Sequence, residues 1–100
     1  MRLDIDVNQK DIDQGVESDE HWCPLARAVR RIVPGVECVT IDSGMLSVVL
    51  TEDHEEHLEA ELPMEAKEFV AMFDDLGAVQ PFRFSVTLTR KPGWAYVEPQ

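Results

Sequence analysis

The run "FRFSVTLT", Phe82–Thr89, constrains this chain more than any other stretch. Phe82, Phe84, Val86 and Leu88 alternate with Arg83, Ser85, Thr87 and Thr89. Successive strand side chains point to opposite faces, so the run predicts a strand with one apolar and one wet face. Such a face needs a covering layer. "RLDIDV" repeats the pattern, with Leu3, Ile5 and Val7 against Asp4 and Asp6. "VECVTI" and "MLSVVL" flank Asp42-Ser43-Gly44 and predict a hairpin. "HLEAEL" alternates Leu58, Ala60 and Leu62 with Glu59 and Glu61, which predicts a further hairpin-connected strand. A helix over residues 52–62 is the competing reading, because Glu, Ala and Leu are good helix formers.

Two segments change to the helical period. Leu25, Ala28, Val29 and Ile32 follow i, i+3, i+4, i+7, with Pro24 in the first turn and Pro34-Gly35 as the stop. Ser18 or Asp19 is the expected cap, and Arg27, Arg30 and Arg31 fall on the other side. A second helix runs from Pro63 to Gly77 on the stripe Ala66, Phe69, Val70, Phe73. "QKDIDQ", between Asn8 and Gly15, predicts a short helical turn. The order β, turn, α, β, β, β, α, β predicts one α+β domain over residues 1–100. Its expected form is an antiparallel sheet of about four to five strands with two main helices packed on one face. Residues from about 90 to 100 are expected as a loosely ordered tail.

Charge narrows the function classes. The chain has 20 acids against 9 bases, a net charge of −11. Phosphate backbones and anionic lipid surfaces repel such a chain, so direct nucleic-acid or membrane binding is not expected. Basic protein surfaces attract it. The acids concentrate at Glu52, Asp53, Glu55, Glu56, Glu59, Glu61, Glu65 and Glu68, where Lys67 is the only cation. On one face they would form a strip of negative potential like that of a phosphate backbone. The bland alternative is a solubilising surface.

Catalytic and metal-binding signals are weak. Cys23 at a helix start, with His21 two residues before it, could make a thiolate. Glu17, Asp19 and Glu20 oppose that charge, and a buried thiol packed under the helix is the simpler reading. His54 and His57 are spaced i, i+3, unlike the i, i+4 of zinc helices, so no metal site is expected. "DIDVNQKDID" lacks the glycine and closing glutamate of a calcium loop. No phosphate-cradling or nucleophile-elbow motif occurs, and no cofactor is expected. The start "MRLDIDVNQK" has no apolar core of a signal peptide, and no apolar run approaches a membrane span. Cys23 and Cys38 are therefore expected as reduced thiols.

Cys-Pro-Leu-Ala-Arg-Ala at Cys23–Ala28 and Phe73-Asp74…Val79-Gln80-Pro81-Phe82-Arg83-Phe84 together resemble a family of small proteins encoded by bacteriophages and prophages, especially of actinobacteria. Its members carry a CPxAxA helix start and a PFxF strand; here Asp75-Leu76 precedes Gly77 as an addition to the pattern. The resemblance covers most of residues 1–88, and its motifs are structural. It implies a phage context and the host cytoplasm. Small acidic phage proteins are often inhibitors of host or defence machinery, anti-CRISPR proteins among them.

The leading expectation is a non-enzymatic phage-type inhibitor or accessory protein, DNA-mimic-like, that binds a host or defence-system protein with a basic surface. The carboxylates of residues 52–68 would steer the encounter, and Trp94 and Tyr96, or Trp22, would anchor it. The alternatives are a structural, self-associating accessory protein, a homodimer among its forms, and a small thiol enzyme using Cys23.

Overall fold

The computed structural model describes residues 2–50 and 57–90, together with the backbone of Glu56. The chain is α+β. Its elements are β1 (Arg2–Val7), α1 (Gln9–Gln14), α2 (Pro24–Ile32), β2 (Val36–Asp42), β3 (Met45–Leu50), β4 (Glu56–Glu61), α3 (Met64–Leu76), β5 (Phe82–Thr87) and β6 (Thr89–Arg90). Every strand pair among the described residues is antiparallel. The strands divide between two sheets, β1-β5 and β2-β3-β4-β6.

The alternating run at the end of the chain joins the two sheets. Its first part pairs with β1, matching Ile5 to Phe84 and Leu3 to Val86. Its last residues pair with β4. Leu88, between them, is 1% exposed. One stretch of period-two sequence thus serves two sheets and buries its apolar face in a single core.

The four-stranded sheet follows the same alternation. Val39 and Ile41 lie opposite Val48 and Leu46, which lie opposite Leu58 and Ala60. All six are buried. Residues 56–61 are therefore strand; cross-strand burial of Leu58 and Ala60 overrides their helix propensity. The β2–β3 loop is two residues long, and Ser43 and Gly44 both have positive φ, 53° and 78°. Positive φ at both positions is the type I′ pattern whose twist suits a hairpin.

The helices dock through polar as well as apolar contacts. Asn8 and Asp11 form a capping box at α1, each side chain accepting from the other's backbone N–H at 2.8 and 3.1 Å. Asp11 is 3% exposed. Arg31 of α2 donates to its carboxylate at 2.7 Å and to the Asp6 carbonyl at 2.6 Å. Gly15 ends α1 in an extended conformation, with φ −72°. A Cβ there would lie 2.7 Å from the Pro24 ring and 2.8 Å from the Asp11 carbonyl oxygen, so close packing of α1 on α2 requires the glycine.

Helix α2 buries Leu25, Ala28 and Val29, and α3 buries Ala66, Phe69 and Phe73. Phe69 stacks on Phe82 at 4.7 Å, and Phe82 on Phe84 at 5.4 Å, tying α3 to β5. The start of α2 differs from expectation. Neither Ser18 nor Asp19 caps it; Cys23 holds the cap position without a side-chain cap bond. Asp19 closes the preceding turn instead, its Oδ1 accepting from the N–H of His21 at 2.9 Å and of Trp22 at 3.0 Å. No described helix is long and apolar enough to cross a membrane.

Candidate functional site

The acidic stretch divides when the chain folds. Glu59 and Glu61 alternate with buried Leu58 and Ala60, so they lie on the outer face of β4. Glu65 and Glu68 are exposed on α3. Glu61 is clasped by Lys67 at 2.7 Å, and that hydrogen bond and the lysine's charge hold its carboxyl below the ordinary glutamate value. Glu52, Asp53, Glu55, Trp94, Tyr96 and His54 lie outside the described residues. Of Glu56 only the backbone is described, paired with Leu50.

The fold also builds an acidic site that no single stretch of sequence displays. A cleft of about 720 Å³ opens between the Ser18–His21 turn, the β2–β3 turn and α3. Cys23, Ile41 and Leu62, exposed by 4%, 7% and 3%, form its apolar base, with Val70 and Ala71 along one wall. Asp19, Glu20, Asp42 and Asp74 stand around it. These four come from the loop before α2, the end of β2, and α3.

Backbone contacts hold this rim in shape. Asp74 Oδ1 accepts from the Ser18 N–H at 2.9 Å, which pins the loop to α3. The Ile41 N–H donates to the Glu20 carbonyl at 2.8 Å, which pins it to β2. Asp19 is fixed by the two amides it caps. The hairpin turn is held by the Leu62 N–H, which donates to the Gly44 carbonyl at 2.9 Å. Lys67, the only lysine or arginine among the described residues lining the cleft, turns its ammonium to Glu61.

Cys23 and His21 share this cleft, but their arrangement is not that of a nucleophile and its base. Burial pushes the Cys23 thiol up, against the pull of the Ala26 and Leu25 amides, and the charges of Asp74 and Asp19 push it further. A thiol so placed stays protonated at neutral pH. The His21 ring binds elsewhere, its Nδ1 lying 3.1 Å from the Val39 carbonyl and its Nε2 3.6 Å from Glu20. Trp22, 47% exposed, points away from the core, with the Arg30 guanidinium 4.3 Å from its ring centre. Among the described residues no group of three His, Cys, Asp or Glu side chains could hold a metal ion.

In the sequence the rim residues stand singly: Asp19 as a cap candidate, Glu20 as an opponent of a thiolate, Asp42 as part of a turn, Asp74 within a structural motif. The one signal in the sequence was the string of acids before Cys23, which set carboxylates beside a helix start. No known family model matches the chain, and neither a curated protein nor a solved structure shows significant similarity to it.

Proposed function

We propose that this chain is a non-enzymatic phage-type inhibitor or accessory protein that binds a host protein through that protein's basic, nucleic-acid-binding surface. The observation that carries the reading is the excess of solvent-facing carboxylates without a lysine or arginine partner among the described residues. Glu17, Glu20, Glu65, Glu68 and Asp75 are exposed and pair with no lysine or arginine among the described residues. Carboxylates in that state attract cations over several ångströms, which steers encounter with a basic partner and repels nucleic acid. The raised thiol of Cys23 and the engaged ring of His21 support a non-enzymatic reading.

Immobilised protein incubated with bacterial lysate at about 50 mM salt should retain a basic nucleic-acid-binding protein and release it by about 500 mM, because the Debye length shrinks several-fold. The recovered partner, purified, should then bind the chain in competition with its own nucleic acid. Failure to retain any basic protein at low salt would overturn the reading.

A second reading, self-association, draws on Met72 and Leu76. They are 47% and 71% exposed and lie one turn apart on α3. Light scattering on the wild type and on Leu76→Glu decides it: a dimer that the variant dissociates supports self-association.

A further inference from the structure

The proposed function leaves the cleft between the Ser18–His21 turn, the β2–β3 turn and α3 without an assigned occupant. Its volume, about 720 Å³, exceeds what one side chain fills, so it can receive a side chain together with part of the backbone that carries it. Its base is apolar and its rim is acidic. Asp19 and Asp74 each commit Oδ1 to backbone amides, and their second oxygens carry no hydrogen bond among the described residues. Among the described residues Asp42 accepts only a long bond from Ser43, at 3.4 Å, and exposed Glu20 meets only the His21 Nε2, at 3.6 Å. The charge of Lys67 is matched by Glu61. Among the described residues, then, Asp19, Glu20, Asp42 and Asp74 have no lysine or arginine that balances them.

These features restrict the occupant. An anion would be repelled. A neutral apolar ligand would strip water from the rim carboxylates and return no hydrogen bonds. A metal ion needs ligands closed around one point, and the described residues offer no such group. The geometry points to the side chain of an arginine, presented by a partner protein, as the occupant of this cleft. Its methylenes lie along Ile41, Leu62 and Val70, while its guanidinium presents five donors to carboxylates arriving from several directions. Arginine fits better than lysine because a planar fork meets several carboxylates at once and gives up its water more easily. The inference rests on the proposed binding of a basic partner and adds where that partner's arginine goes.

The test titrates isotope-labelled protein at low salt with a hexapeptide of alternating glycine and arginine, and with its glycine–lysine counterpart, while amide chemical shifts are followed. The arginine peptide should shift residues 19–23, 42–44 and 70–74, and the lysine peptide should bind at least about 3-fold more weakly. Ala71→Trp fills the cleft from an exposed position and leaves the net charge of −11 unchanged. It should weaken the arginine peptide by at least about 10-fold. The double variant Glu20→Gln/Asp42→Asn, which removes two rim charges and no backbone cap, should do the same. Shifts centred instead on Glu59, Glu65 and Glu68, with affinity unchanged in Ala71→Trp, would overturn the cleft as the arginine site and leave the basic-partner reading standing. Absence of binding by both peptides, with no basic protein retained from lysate, would overturn both.

Discussion

Two acidic regions of this molecule are built in opposite ways. Glu59, Glu61, Glu65 and Glu68 are close in sequence and lie on the open surfaces of β4 and α3. Asp19, Glu20, Asp42 and Asp74 are far apart in sequence and surround one cleft. The first group is dense along the chain but solvated, and its best-held member is neutralised by Lys67. The second is sparse along the chain, yet Asp19 and Asp74 are fixed by backbone amides. Charge density in sequence reports solubility and long-range steering. Convergence on an apolar base, with the carboxylates held in place, is what a specific contact needs, because less side-chain freedom is lost on binding.

That contrast can be broken from below. Leu62 is 3% exposed and lies under the cleft. Leu62→Ala should cost about 3 kcal/mol in urea unfolding, from lost transfer energy and the cavity left behind. Glu65→Gln or Glu68→Gln should stay within about 0.5 kcal/mol. Equal losses in the two regions would mean the cleft has no more structural support than the open acidic face.

The next largest effect concerns the cap within the rim. Asp19→Ala removes the acceptor for two amides and should cost about 1 to 2 kcal/mol. Asp19→Asn keeps an acceptor oxygen, removes the charge and should recover most of that loss. If both variants lose the same amount, the charge of Asp19 and not its cap supports the turn.

Thiol chemistry sharpens the comparison at the cleft base. In native protein at neutral pH, iodoacetamide should modify Cys38, which is partly exposed, well before Cys23. Cys23 should react at the rate of global unfolding, because its thiolate is disfavoured and its sulfur is buried. Rapid native labelling of Cys23, mapped by mass spectrometry, would mean that the cleft opens to its base.

The smallest effect belongs to the open surface. Glu61 titrates below the ordinary glutamate value of 4.5 because Lys67 bonds to and attracts its charged form. A carboxyl depressed in the folded state adds stability above its unfolded value, and this is lost as pH falls through the folded one. In Lys67→Met the Glu61 carboxyl should return toward the ordinary value in an NMR titration, and the acid limb of stability should lose that contribution. The effect is slight, since the pair is exposed and screened. An unmoved Glu61 would mean that the Lys67 contact does not persist in solution.

Most of the element order was legible because alternation and helical period survive in the sequence wherever one face is buried. Val39, Ile41, Leu46, Val48, Leu58 and Ala60 announce their face by spacing alone. Pro24 and Gly77 mark helix ends. The strand at residues 56–61 was ambiguous because Glu, Ala and Leu favour a helix when isolated. Pairing with Met45–Leu50 settles it. The cap of α2 was misplaced because Asp19 can close a tight turn as readily as a helix, and only the path of the loop distinguishes them.

By itself, then, the sequence determined the α+β class, the core faces and the excess of negative charge, since each depends on residue type and near neighbours. Tertiary structure decided the split into two sheets at Leu88 and the closing of Asp11 by Arg31. It also decided the gathering of Asp19, Glu20, Asp42 and Asp74 around one cleft. These depend on contacts between residues tens of positions apart, and no local pattern encodes a separation in space that only packing of the whole core sets.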